Sequence, residues 1–193
     1  LRRPRERDND PSLRHEGFAA QVIQCDLGDH AEAPHVAFLR ETDLTPESAR
    51  AFFLDYYDKA PFEPRHLELF GRYFAALAAG DGPVLIHCTA GKDRTGVLAM
   101  LLLGSMGVPH EYIVADYALT ADGIARMRVW AQREAPEMWA RMADAPSAFM
   151  AAVPEAMFRV INTICADGTL RDYTLSLGVS PAALERLADH LLE

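Results

Sequence analysis

Residues 83–109 constrain the fold more than any other passage of the chain. After a Gly82-Pro83 turn, Val84-Leu85-Ile86-His87-Cys88 is a short, β-rich and almost wholly apolar run. That is the pattern of a strand buried on both faces of a sheet. A glycine-bearing loop follows at once, and an apolar helix is predicted from about Thr95 to Met106, stopped by Gly107 and Pro109. Strand, tight loop and helix in direct succession form a building unit of an α/β fold with a central, mostly parallel sheet.

The flanking sequence extends this reading. Residues 1–16 are charged, contain Pro4 and Pro11, and read as an exposed loop. Ala20 to Leu27 reads as a short strand with Val22 and Ile23 inside, ended by Gly28. Thr45-Pro46-Glu47 supplies an N-cap, a first-turn proline and a first-turn acid, so a helix is predicted from there to about Asp58. A second helix starts near Pro64 and carries Leu67, Phe70, Tyr73, Phe74 and Leu77 at helical spacing up to Gly80. From Pro109 onward everything reads as helix, over 109–119, 121–134, 147–166, 169–177 and 181–192, with Thr169 and Asp172 as a capping pair. The 193 residues therefore read as one domain. Its helical C-terminal half, 121–193 above all, covers the sheet or forms a lid.

The same passage carries chemistry. In His87-Cys88-Thr89-Ala90-Gly91-Lys92-Asp93-Arg94-Thr95-Gly96, a thiol ends the strand six residues before an arginine that opens the helix. Successive amides of Thr89, Ala90, Gly91, Lys92, Asp93 and Arg94 can line a nest for a tetrahedral dianion such as phosphate, vanadate or sulfate. The helix N-terminus aims its positive end at the same point. That field favours thiolate over thiol and makes Cys88 a nucleophile at neutral pH. Arg94 is expected to bind two phosphoryl oxygens through its planar fork, tightening in the transition state. Gly91 allows the tight turn, Gly96 lets the helix pack closely, and Thr95 donates its hydroxyl to the sulfur. His87 is expected to hold the loop through hydrogen bonds.

Composition narrows the partners. Against 19 basic residues stand 28 acidic ones, a formal charge of −9. Such a surface repels nucleic acid and anionic membranes at long range. The longest apolar run, Val97 to Leu103, is far too short to span a bilayer. The three widely spaced cysteines, Cys25, Cys88 and Cys165, form neither a zinc pattern nor a disulfide framework. A cytoplasmic enzyme needing no metal or other cofactor is the expectation. Tyr56, Tyr57, Trp130 and Trp139 are read as packing residues of the core.

His-Cys-x5-Arg-Thr-Gly resembles the signature loop of the protein tyrosine phosphatase superfamily. The fuller string from His87 to Gly96 is similar to a bacterial and fungal branch of tyrosine/serine or triple-specificity phosphatases, some of which act on phosphoinositides. Asp116-Tyr117-Ala118-Leu119 resembles that branch's Asp-Tyr-Leu-Leu segment. Asp167-Gly168-Thr169-Leu170 and Leu177-Gly178-Val179-Ser180 resemble its C-terminal helices. Leu1-Arg2 and Glu6 resemble the end of an N-terminal passage, so the chain is expected to be truncated by that branch's usual N-terminal strand pair.

The resemblance implies a phosphomonoesterase working through a phosphocysteine on Cys88, with phosphorylated proteins or phosphoinositides as substrates. The rival is a pseudo-phosphatase that binds phosphorylated partners without turnover. Rhodanese chemistry is disfavoured by the Arg94-Thr95-Gly96 helix start, and arsenate reduction by the lack of a nearby resolving cysteine. Lys92 occupies the position at which inositol-lipid phosphatases carry lysine, and is expected to pair with a second phosphate. The general acid that protonates the leaving oxygen is sought at Asp58, slightly ahead of Asp55, or at Asp93 in the loop itself. Asp116 is expected to orient the loop or cap a helix.

Overall fold

A computed structural model of the chain describes residues 1–9, 11–12, 14, 16–27, 34–42, 45–134, 136 and 150–192. Nearly everything regular in it is α-helix, because most of the chain's apolar residues recur at helical spacing. The helices are α1 (Pro4–Asn9), α2 (Pro34–Glu41), α3 (Pro46–Lys59), α4 (Pro64–Ala79) and α5 (Asp93–Ser105). They continue as α6 (His110–Ala118), α7 (Thr120–Glu134), α8 (Pro154–Cys165), α9 (Leu170–Ser176) and α10 (Pro181–Leu191). A 3-10 turn at Ala60–Phe62 joins α3 to α4.

Local chemistry accounts for the boundaries. Thr45 and Ser48 form a reciprocal capping box that opens α3, with Pro46 in the first turn. Thr169 and Asp172 do the same for α9, and the Ser180 side chain caps α10. Pro154 starts α8 and forces Val153 before it out of helical geometry. The helix expected over 147–166 is therefore broken at 151–153: Met150 is helical, α8 begins at Pro154, and residues 147–149 lie outside the described residues. Residues 4–9, read as loop, form a helix with Pro4 first, Glu6 in its first turn and Arg7 in its last.

The expected central parallel sheet is not there: no strand occurs among the described residues. A strand exists only when a neighbour completes its hydrogen-bond ladder, and neither 20–27 nor 84–88 has one among the described residues. Both segments are irregular, each with a single inward face. In 84–88 that face is Val84, Ile86 and Cys88, while Leu85 is 88% exposed and His87 lies outside. In 20–27 it is Ile23 and Cys25, and Val22, expected inside, is exposed; Gly28 lies outside the described residues.

The core is thus made by helices packing on helices. α3 and α6 pack on α8, α5 on α6 and α9, and α4 on α10. Phe53, Tyr57, Phe70, Phe74, Leu98, Leu101, Met157, Ile161 and Leu184 are fully buried between them. Each such side chain contributes about 1.5–3 kcal/mol by leaving water. A buried Ser105–Thr174 hydrogen bond of 2.8 Å ties α5 to α9. Trp130, expected in the core, is instead 51% exposed on α7; Trp139 lies outside the described residues. No helix among the described residues is long and apolar enough to cross a membrane.

Candidate active site

Alternation along 84–88 gives Cys88 the inward register, leaving it 6% exposed at the point where the chain turns into α5. Gly91 makes the turn with φ +67°, a conformation that costs a side-chain-bearing residue energy. Burial by itself would raise the Cys88 thiol. The Arg94 guanidinium, the hydroxyl and amide of Thr95 and the amide of Gly91 outweigh burial and hold the thiol below its usual pKa. Among the described residues the buried Thr95 hydroxyl meets no partner within ordinary hydrogen-bonding limits, so its effect on the thiol is that of a nearby dipole. His87 contacts the Cys88 carbonyl through Nδ1 at 3.1 Å.

Arg94 does not hang free. Its two terminal nitrogens donate to both oxygens of Glu6, at 2.6 and 2.8 Å, with side-chain exposures of 10% and 12%. Glu6 also accepts from the Arg3 amide (2.6 Å) and the Thr89 hydroxyl (3.0 Å). Burial would raise this carboxyl, yet the Arg94 pair overrides it and Glu6 sits at about 2. Reciprocally, Glu6 outweighs the burial of Arg94 and raises the guanidinium above its ordinary value. The result is a guanidinium of fixed orientation next to the thiolate.

A further layer fixes Glu6. Arg65 on α4 donates to the Arg2 carbonyl at 3.0 Å and, less closely, to that of Leu1 at 3.4 Å. Its other terminal nitrogen meets His66 Nε2 at 2.8 Å, which leaves His66 Nδ1 to donate to Ala60 O at 2.6 Å. Burial lowers His66 to about 3, so it stays neutral in this arrangement. The passage Leu1–Glu6 is thereby attached to α4, and Arg94 adds a bond to the Leu1 carbonyl at 3.2 Å.

The other expected residues fall in different places. Thr89 and Ala90 are exposed at the loop. Lys92 is 4% exposed, with Nζ on the Ala151 carbonyl at 2.9 Å and 4.1 Å above the Phe53 ring. Asp93 accepts a hydrogen bond from Tyr57 at 3.0 Å and lies 3.6 Å from Lys92 Nζ. Burial raises its carboxyl, against the pull of Lys92, Tyr57 and Arg94. Both oxygens of Asp58 are held by Arg159 of α8, at 2.8 and 2.7 Å. Asp55 pairs with Lys59 one helical turn on, and Asp116 is exposed on α6.

Glu6, Tyr57 and Tyr117 are site residues that the sequence reading did not assign. Glu6 served only as a landmark, and nothing local pairs it with an arginine 88 positions away. Tyr57 was placed in the core, which is where its ring lies, but its hydroxyl reaches Asp93 and Tyr117. Tyr117 had a usable signal: it stands four residues after the buried Ile113, on the inward side of α6, whereas Asp116 does not. The Tyr117 ring is also what Gly96 accommodates, since a Cβ there would lie 3.0 Å from it.

A cavity of about 600 Å3 beside α1 is lined by Arg2, Arg7, Ser12, Arg14 and Asp26 among others. Neither Cys88 nor Arg94 lines it.

Comparison with known proteins shows what the chain is similar to. Triple specificity protein phosphatase PtpB of Mycobacterium tuberculosis is 29% identical over 198 residues, which covers 96% of this chain and 68% of that protein. A tyrosine-protein phosphatase of Nostoc commune is 57% identical over 53 residues, 27% of this chain and 18% of its own length. The profile of the tyrosine phosphatase family matches residues 1–193. Because that match runs through the whole chain, the chain belongs to the tyrosine phosphatase family and so to the phosphoric monoester hydrolases.

Proposed function

We propose that the chain hydrolyses phosphate monoesters through a phosphocysteine on Cys88, acting on phosphotyrosine, phosphoserine or phosphothreonine, or phosphoinositide substrates. One observation carries this: a buried thiol held below its usual pKa beside an arginine that Glu6 fixes in place; both terminal nitrogens of Arg94 are engaged by Glu6, the Leu1 carbonyl and the Thr89 hydroxyl, so phosphate held there shares or replaces those bonds. The Cys88 thiolate attacks phosphorus, a P–S bond forms, and the P–O bond to the leaving group breaks. The loop amides and Arg94 take up the charge on the equatorial oxygens, where preorganised donors act most strongly. Water then attacks phosphorus, the P–S bond breaks, and inorganic phosphate leaves with Cys88 again a thiolate. Thr95, whose hydroxyl lowers the thiol pKa, stabilises the sulfur as leaving group in this second step.

The proton for the leaving oxygen is assigned to an aspartate, with Asp93 and Asp58 as the candidates. Asp93 has the raised carboxyl next to the loop, while Asp58 has both oxygens on Arg159. The mycobacterial relative is named a triple specificity protein phosphatase, and a broad substrate range is proposed on that likeness.

The test is phosphate release from an aryl phosphate, a phosphotyrosine peptide and a phosphoinositide, with Cys88→Ser as control. Turnover that Cys88→Ser abolishes, while competitive vanadate binding persists, is the expected result. A parent protein that binds vanadate and turns over none of the three is a pseudo-phosphatase, and the proposal fails.

A further inference from the structure

Two neighbouring residues of the loop reach inward to the same short stretch of chain. Lys92 does so directly, donating from Nζ to the Ala151 carbonyl at 2.9 Å. Asp93 does so through two tyrosines. Tyr57 donates to its carboxylate at 3.0 Å, the Tyr57 and Tyr117 hydroxyls meet at 2.8 Å, and Tyr117 accepts the Val153 amide at 3.3 Å. Ala151 to Val153 is the non-helical turn that leads into α8, and Val153 has no side-chain cap of its own. One carbonyl and one N–H of this turn are thus both claimed by the loop that surrounds Cys88.

Burial separates this arrangement from a substrate-reading one. A lysine that collects a second phosphate must present its ammonium to solvent, whereas Lys92 is 4% exposed with its charge over the Phe53 ring and 3.6 Å from Asp93. Tyr57 is completely buried and Tyr117 nearly so. A buried polar chain whose members satisfy one another is stiff, because breaking any link leaves its neighbours unpaired. Resting on the reading of Cys88 as nucleophile, we propose that Lys92, directly, and the Asp93–Tyr57–Tyr117 chain lash the phosphate-binding loop to the 151–153 turn, a positioning role that holds whichever of Asp93 and Asp58 supplies the leaving-group proton. Loop geometry, and with it turnover of every phosphate monoester, then depends on where that turn sits. The amides that stabilise the Cys88 thiolate belong to the same loop, so loosening the lashing weakens the thiolate as well.

The experiment uses the full chain, Lys92→Met and Tyr117→Phe. Met keeps the length of the lysine stem without its donor; Phe keeps the ring against Gly96 and removes only the hydroxyl. Each protein is assayed on p-nitrophenyl phosphate and on a soluble doubly phosphorylated inositol lipid, and Cys88 is titrated by iodoacetamide across pH. Both variants are expected to lower kcat about tenfold on both substrates with KM little changed, the size expected when positioning rather than ground-state binding is lost. Both are also expected to move the midpoint of Cys88 alkylation upward, which a loss of global stability alone does not do. The proposal is overturned if Lys92→Met leaves aryl phosphate turnover and the alkylation midpoint unchanged, whatever happens to the lipid. It is equally overturned if Tyr117→Phe alters neither. Should Lys92→Met not fold, Tyr117→Phe decides alone. Should the parent protein show no turnover, the functional reading fails, and the alkylation midpoints still decide for or against the lashing.

Discussion

Replacing Glu6 by glutamine tests the clamp on Arg94 most directly. The change keeps the shape of the side chain but turns one acceptor into an NH2 that faces an Arg94 N–H, donor against donor. The size of the effect follows from the carboxyl itself. Its pKa is about 2 in the folded chain against an ordinary 4.5, which at about 1.4 kcal/mol per unit is worth at most about 3 kcal/mol at neutral pH. Glu6 is not wholly buried and solvent screens part of this, so about 2 kcal/mol is expected. For a chain of this length that is roughly 5 °C in Tm. The sign in pH is fixed, because a carboxyl with a depressed folded pKa stabilises fully above its unfolded value. The gap between wild type and Glu6→Gln should therefore be constant above pH 4.5 and close as pH falls toward 2. Denaturant unfolding at pH 7 and at several values below 4.5 measures it. With Arg94 no longer oriented, kcat should also fall about 10- to 100-fold with a smaller change in KM. A stability gap that does not change with pH, or a variant as active as wild type, would refute the reasoning.

Other consequences are as direct. Cys88 should react with iodoacetamide at lower pH than Cys25, whose thiol is raised chiefly by its burial, and mass mapping of the alkylated sites across pH checks the order. The general acid is identified from pH–rate profiles on an alkyl and an aryl phosphate. Its replacement by Asn flattens the basic limb and slows the alkyl ester far more than the aryl one, and Asp93→Asn and Asp58→Asn are the two variants to compare. Gly104→Ala should destabilise by about 1–3 kcal/mol in denaturant unfolding, because the new Cβ would clash with Leu170 Cδ1 and lie 2.8 Å from its Cβ. Trimming Leu170 to Ala in the same chain should recover part of that loss.

Much of the site was written locally. The spacing from Cys88 to Arg94, the glycine at 91 and the helix that follows are all set within ten residues, where backbone geometry and chemistry depend on near neighbours. The helices opened by Thr45, Thr169 and Ser180 were legible for the same reason, since caps are satisfied within one turn. The sheet was misread because an apolar β-rich run states only that a segment is extended. Whether it is a strand depends on a partner elsewhere, and Leu85 lies in the open where a second buried face was expected. Tertiary structure alone decided which charges meet. Glu6 finds Arg94 across 88 positions, Tyr57 and Tyr117 meet across 60, and Lys92 turns inward to Ala151 across 59. A sequence lists donors and acceptors without their separations, and hydrogen bonds and ion pairs are decided within a few ångströms. The candidate nucleophile could therefore be named from the chain, while the partners that hold the neighbouring arginine and the loop in place required the fold.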